Sequence, residues 1–230
     1  MSASLQGIIF DKDGTLFDFR TTWEVWTRGF LLRLAKNDES HARAMGQLIG
    51  FDLDTSQFDP NSVVIAGTPG DIADALDGAV DMERDALITL SNQEAAQAPQ
   101  SEVVPLVPFF EALRGRGLRI GVATNDAEQP ARAHLAAAGV LDQLDFVAGF
   151  DSGFGGKPGA GQLLAFCAAT GCAPDRVAMV GDSTHDLMAG KAAGMVRVAV
   201  LTGLATEASL APYADVVLPD IGHILGWIET

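Results

Sequence analysis

Little sulfur and little positive charge mark this 230-residue sequence. Its two cysteines, Cys167 and Cys172, are too few for a disulfide framework and fit no two-pair metal spacing, so free thiols in a reducing cytosol are expected. Lys and Arg number 15 against 30 Asp and Glu, a net charge of −15, which disfavours nucleic acid and anionic membrane as partners. Any phosphate this chain binds must be held by local positive charge. No run of 18 apolar residues occurs, and the first residues lack the basic start and apolar middle of a signal peptide; a cytoplasmic location is expected. Internal repeats and low-complexity tracts are absent as well. What remains is 48% apolar, with a mean hydropathy of +0.20, ample for one large domain or two small ones.

The first informative feature is an apolar run, Gly7-Ile8-Ile9-Phe10, that stops at Asp11-Lys12-Asp13-Gly14-Thr15-Leu16. A side-chain period of two puts Asp11 and Asp13 on one side at the end of a buried strand. Two close carboxylates repel, so water must screen them or a cation and a reaction must justify them. The same alternation points Lys12 away from a metal, with little expected effect on chemistry.

Beyond Phe17, Trp23, Trp26, Phe30, Leu31 and Leu34 fall on one helical face, with Thr21 or Thr22 as the cap; the tryptophans read as helix-packing residues. Further helices are expected over 40–49, 71–76 and 82–93, making residues 18–99 an all-helical unit, and 98–105 reads as a return linker. From Pro108 the pattern alternates. Helices are expected over 108–114, 128–138, 161–170 and 186–193, and strands over 118–123, 146–149, 177–180, 196–201 and 215–218. The fold class that follows is α/β: a doubly wound, Rossmann-like parallel sheet from residues 1–17 and 100–230, with an inserted helical unit over 18–99.

In such a sheet, ligands bind beyond the carboxyl ends of the strands. The polar residues there are Asp11 and Asp13, Thr124 and Asn125, Lys157, and Asp182 with Asp186. Carboxylates, a hydroxyl and an amine converging at one edge suit a hard dication such as Mg²⁺ with room for a phosphoryl group. Each piece has a plainer reading alone: Asp13-Gly14 as a turn, Thr124-Asn125 as a helix start, Asp182-Ser183 as a helix cap. Their joint occurrence after four strands favours a site. Gly153-Phe154-Gly155-Gly156-Lys157 is not a Walker loop, because Pro158 follows the lysine and Asp151 stands where the first glycine belongs. The four histidines are scattered without ligand spacing; His185 alone lies inside the Asp182 loop, where it could touch substrate.

In order, Asp11-Lys12-Asp13-Gly14-Thr15-Leu16, Thr124-Asn125, Lys157-Pro158 and Gly181-Asp182-Ser183-Thr184-His185-Asp186 resemble the motifs of the haloacid dehalogenase superfamily, in its phosphoglycolate phosphatase-like branch. The resemblance implies a Mg²⁺-dependent phosphatase of a small phosphorylated metabolite, 2-phosphoglycolate or a sugar phosphate, with residues 18–99 as a cap. It implies Asp11 as the nucleophile that becomes phospho-aspartate and Asp13 as the proton shuttle. Thr124 and the Asn125 amide would bind phosphoryl oxygens, and Lys157 would offset charge. Asp11, Asp13 and Asp182 would ligate Mg²⁺, and Asp186 would hold the metal's waters or Lys157 from behind. Lys12 stands where the family often has an apolar residue, and Gly159-Ala160-Gly161-Gln162 lacks its usual proline and acid.

Residues 67–70 of the insertion, with Arg20 and Arg28, are the specificity candidates, and arginine suits a substrate carboxylate. Three rivals stand beside the phosphatase. A sugar phosphomutase would use the same Asp11 and Asp13. A phosphonate-cleaving enzyme would need a cap lysine, and only Lys36 is available. A non-catalytic phospho-acceptor module would need neither Asp13 nor a cap. A dehalogenase proper is disfavoured by the second aspartate.

Overall fold

The central strand β1 (Gly7–Phe10) is completely buried, flanked in register by two parallel neighbours, so that Phe10 stands between Val122 and Val180. The computed structural model describes residues 5–229; residues 1–4 and 230, which fall within the expected core bounds, lie outside the described residues. After a short antiparallel pair β2 (Phe51–Asp52) and β3 (Gln57–Phe58), the chain forms β4 (Arg119–Ala123), β5 (Phe146–Ala148), β6 (Val177–Gly181), β7 (Val196–Val200) and β8 (Val216–Leu218). The six-stranded sheet has the order β5-β4-β1-β6-β7-β8 and every pairing in it is parallel. Progress through β4 and β5 runs to one side of β1, and through β6, β7 and β8 to the other. The reversal opens a crevice at the carboxyl end of β1, the usual ligand position in such sheets.

Residues alternate between the two faces, and each face has its own apolar layer. Ile8, Phe10, Ile120 and Val122 join Phe110 and Leu113 of the helix Leu106–Gly115, whereas Ile9, Ala123 and Met179 join Phe166 of the helix Gly161–Thr170. The helices Glu128–Ala137 and Thr184–Ala193 complete the alternation expected from sequence. Short helices at Glu207–Leu210 and Ile224–Trp227 follow.

Between β1 and β4 lie helices Phe19–Leu34, Glu39–Ile49, Val63–Ala66, Pro69–Ala75 and Arg84–Ala95. They enclose a separate apolar cluster built on Phe30, Leu31, Met45, Phe51, Leu76 and Leu87. The chain leaves the sheet layer at Phe17 and returns at Glu102 as an antiparallel bridge, tied by Asp18 N–H to Ser101 O and Val103 N–H to Leu16 O.

Two local expectations need correction. The first of these helices begins at Phe19 and its cap is Asp18, whose carboxylate accepts from Thr21 N–H at 2.7 Å, not Thr21 or Thr22. Thr22 is buried inside the helix and donates to Pro99 O. The insertion is also not all helical. Strands of two residues carry no readable period, yet Phe51 and Phe58 bring their rings to 4.9 Å across the β2–β3 pair.

Candidate active site

Asp11 follows β1 directly and donates its backbone N–H to Val180 O, which fixes it over the crevice between β1 and β6. Its buried carboxylate accepts from Lys157 Nζ at 2.5 Å. The same ammonium lies 2.6 Å from Asp186 Oδ1. A serine-aspartate capping box at the start of the helix Thr184–Ala193 holds Asp186: its Oδ2 accepts from Ser183 N–H at 3.0 Å and from Ser183 Oγ at 2.6 Å. Ser183 is therefore the helix cap that the plainer reading foresaw, and the cap is what aims Asp186. Asp182, at the end of β6, accepts from Thr15 Oγ1 at 3.4 Å.

Asp11, Asp182 and Asp186 are buried and bring one oxygen each within 4.8 Å of one another. Burial pushes Asp11 up to about 7 against the pull of Lys157, and pushes Asp182 well above the usual carboxylate range, with Asp11 adding to the rise. Burial opposes the Lys157 ammonium, but Asp11 and Asp186 outweigh it and raise its pKa. Fully ionised, the three buried carboxylates would exceed the one ammonium by two negative charges. That oxygen-rich, negative cluster fits a hard dication.

The backbone around Asp182 is shaped to admit this cluster. Gly14 has φ +78°, and a Cβ there would lie 2.5 Å from Asp182 Oδ2. A Cβ at Gly203 would overlap the same carboxylate, and its neighbour Thr202 donates its hydroxyl to Gly14 O at 2.5 Å. Thr202 and Gly203 follow β7. Inspecting the end of every strand would have found them, but neither residue type announces chemistry.

Asp13 is held differently from the other three aspartates. Its side chain lies outside the three-carboxylate group, and Lys12 Nζ meets both of its oxygens, at 2.9 and 2.8 Å. Lys12 itself is fully buried. Its ammonium sits 3.3 Å from Asp126 Oδ2, 3.1 Å from His134 Nδ1 and 5.4 Å from the centre of the Trp23 ring. Burial opposes this charge, and Asp13 and Asp126 more than restore it. Asp126, His134 and their link to Lys12 were missed by sequence reasoning, since nothing in sequence joins residue 12 to residues 126 and 134.

Thr124 and Asn125 follow β4. Thr124 Oγ1 accepts from Asp126 N–H at 3.0 Å, which leaves its hydroxyl hydrogen available to donate. The Asn125 side chain donates to Lys157 O and Ala66 O and accepts from Lys157 N–H at 2.7 Å, clamping the lysine loop to the sheet and to the helical insertion. A cavity between sheet and insertion is lined by Asp11, Asp13, Thr124, Asn125, Lys157, Asp182 and Asp186, so all seven predicted residues meet there. His185 lines it too. From the insertion come Phe19, Trp23, Trp26, Ile65, Gly67, Pro69 and Ile72, among others. The tryptophans thus pack and line at once. Arg20, Arg28 and Lys36 do not line the cavity; Arg20 is exposed beside Glu24.

A parallel, doubly wound α/β sheet with a buried carboxylate and ammonium cluster at its switch point has its polar site where proteins of this fold class bind ligands. More narrowly, residues 5–194 match the model of the haloacid dehalogenase-like hydrolases, and the chain belongs to that family. It is 37% identical over 117 residues to a phosphoglycolate phosphatase of Rhodospirillum rubrum, covering 51% of this chain and 48% of that one. It is 34% identical over 112 residues to a phosphoglycolate phosphatase of Chromobacterium violaceum, covering 49% and 50%. The chain spans about half the length of these curated relatives. The fold matches that of CbbY from Rhodobacter sphaeroides, solved in complex with phosphate, at a TM-score of 0.71, with 18% identity over 98% of this chain and 100% of that one. Among the described residues no helix is long and apolar enough to cross a membrane.

Proposed function

We propose that this protein is a Mg²⁺-dependent phosphatase of small phosphate monoesters that works through a phospho-aspartate on Asp11. The observation that carries the reading is the buried Asp11–Lys157–Asp186 chain, with Asp182 beside it, at the switch point of the sheet. Asp11 and Asp182, with Asp186 facing them, are the residues to hold Mg²⁺, which when bound would draw charge from a phosphoryl oxygen. Asp11 Oδ attacks phosphorus, and the bond from phosphorus to the ester oxygen breaks. Asp13 protonates that departing oxygen, then takes a proton from the water that attacks the phospho-aspartate; inorganic phosphate leaves and Asp11 is restored. The Thr124 hydroxyl and the Asn125 backbone amide donate to phosphoryl oxygens, with the Asn125 side chain already committed to its clamp. Lys157 offsets charge on Asp11 and on the transferring group.

In this reading residues 18–99 form the cap, and residues 1–17 with 100–230 the catalytic core. The adjacent crossings at Phe17 and Glu102 support it, because a hinge needs both chain passages at one place. A cytoplasmic phosphorylated metabolite is the substrate, in keeping with two free, buried thiols.

The test is phosphate release with Mg²⁺ across a panel of monoesters, beside Asp11→Asn. We expect chelation to abolish turnover and Asp11→Asn to cost about 10³-fold or more, as loss of a nucleophile does. Turnover that survives in Asp11→Asn would refute the covalent route, and conversion of hexose 1-phosphate to hexose 6-phosphate without net phosphate release would make the protein a mutase.

A further inference from the structure

We infer that the organic part of the substrate is uncharged and largely apolar, with a ring that lies against Trp23 and Trp26, and that esters bearing a carboxylate are poor substrates. The inference deepens the phosphatase reading and rests on it.

Charge carries the first half of the argument. Among the described residues, the cavity wall holds five carboxylates, Asp11, Asp13, Asp126, Asp182 and Asp186, against the single ammonium of Lys157. That ammonium is committed to Asp11 and Asp186. Lys12, behind the wall, is committed to Asp13 and Asp126. A bound dication and the phosphoryl group of the ester offset one another. A second anion on the same substrate would therefore meet no free cation and several carboxylates. The arginines that could have met it, Arg20 and Arg28, are not in the wall.

Shape and polarity supply the other half. The insertion faces the site with Phe19, Trp23, Trp26, Val64, Ile65 and Ile72. Trp23 and Trp26 meet edge to face at 5.2 Å, and Trp26 stacks on Phe30 at 4.7 Å, so the rings are held by their neighbours before any ligand arrives. A glycolate-sized group has almost no apolar surface to give such a wall, whereas a ring does. Trp26 Nε1 and His185 Nδ1 are buried atoms without a hydrogen-bond partner, and both belong to residues of this wall. Trp26 Nε1 can only donate, so a neutral acceptor such as a carbonyl or hydroxyl on the substrate would satisfy it.

The test compares benzyl phosphate with 4-carboxybenzyl phosphate and 2-phosphoglycolate, all primary alkyl esters, under saturating Mg²⁺. Acetyl phosphate, with almost no organic part, serves as the probe of the chemistry itself. We expect kcat/KM for benzyl phosphate to exceed that of either carboxylate ester by at least tenfold, mostly through KM. Ile65→Arg should narrow or invert that preference, and Ile72→Arg repeats the test from a second position if the first variant does not fold. Equal or better turnover of 2-phosphoglycolate or 4-carboxybenzyl phosphate by the native chain overturns the inference while leaving the phosphatase reading intact. Failure to hydrolyse any of the four, acetyl phosphate included, overturns the phosphatase reading and this inference with it.

Discussion

Replacing Lys12 with methionine keeps most of the side-chain volume and removes one buried ammonium. The Lys12 side chain is 0% exposed, and those of Asp13 and Asp126 are 15% and 8% exposed. Two carboxylates would lose their counterion in a site with little water. Breaking a buried pair from one side commonly costs about 3–5 kcal/mol. The low end applies here, because the lysine's own burial penalty disappears with it and Asp126, already pushed up to about 6 by burial, can escape by taking a proton. We therefore expect a loss of about 3 kcal/mol at pH 8, or roughly 6–12 °C in Tm for a chain of this size. Denaturant unfolding of four proteins measures it: native, Lys12→Met, Asp126→Asn and the double variant. The double variant should be more stable than Lys12→Met alone, because it removes one of the stranded charges, and the cycle should show coupling of 1 kcal/mol or more. A loss below about 1 kcal/mol for Lys12→Met, or strict additivity in the double variant, would refute the claim that this ammonium organises its two carboxylates.

Three further variants probe local surroundings. His134 accepts from Lys12 at Nδ1 and donates from Nε2 to Ala95 O at 2.7 Å, so it is neutral with its proton on Nε2, and burial and then the Lys12 charge press its pKa to about 4. Between pH 6.5 and 4 the unfolded chain takes a proton that the folded chain refuses, so this group's support is full above about 6.5 and is lost as pH falls through about 4. The cost approaches about 3 kcal/mol. His134→Gln should remove that slope from the pH profile of unfolding free energy, and parallel profiles would show the assignment to be wrong. At the other end of the site, Gly203→Ala should displace Asp182 and so abolish the rise in Tm on adding Mg²⁺ that the proposed metal site implies, with at least a tenfold loss of the proposed phosphatase turnover. Gly29→Ala, whose added methyl meets nothing within 4 Å on the helix Phe19–Leu34, should instead add up to about 1 kcal/mol of stability. If both alanines behave alike, the close approach at Gly203 is not what holds Asp182.

Much of the scaffold is written locally. Uninterrupted apolar runs, Gly7-Ile8-Ile9-Phe10 and Val177-Ala178-Met179-Val180-Gly181, mark the two central strands β1 and β6, because strands buried on both faces need no polar alternation. Helix ends at Gly139 and Gly194 are legible for a similar reason: both glycines sit at positive φ just past a helix, where other residues are strained. The seven polar residues at strand ends were legible because topology sends every such position to one edge. What failed was whatever depends on a partner far away in sequence. The two-residue β2–β3 pair had no period to read. The cap at Asp18, by contrast, was a local miss: its carboxylate accepts from Thr21 N–H only three residues on.

The sequence by itself therefore determined the order of strands and helices, and which acids, hydroxyl and amine reach the carboxyl edge of the sheet, since period and spacing are local properties. Only the tertiary structure decided how those charges are shared. Lys12 turned out to belong to Asp13, Asp126 and His134, and the side chain of Asp186 to stand with those of Asp11 and Asp182. It also decided that the insertion offers aromatic rings rather than arginines to the cavity. Ion pairing and cavity lining depend on distances between residues far apart in sequence, such as Asp11 and Lys157, 146 positions apart, and those distances exist only once the chain has closed on itself.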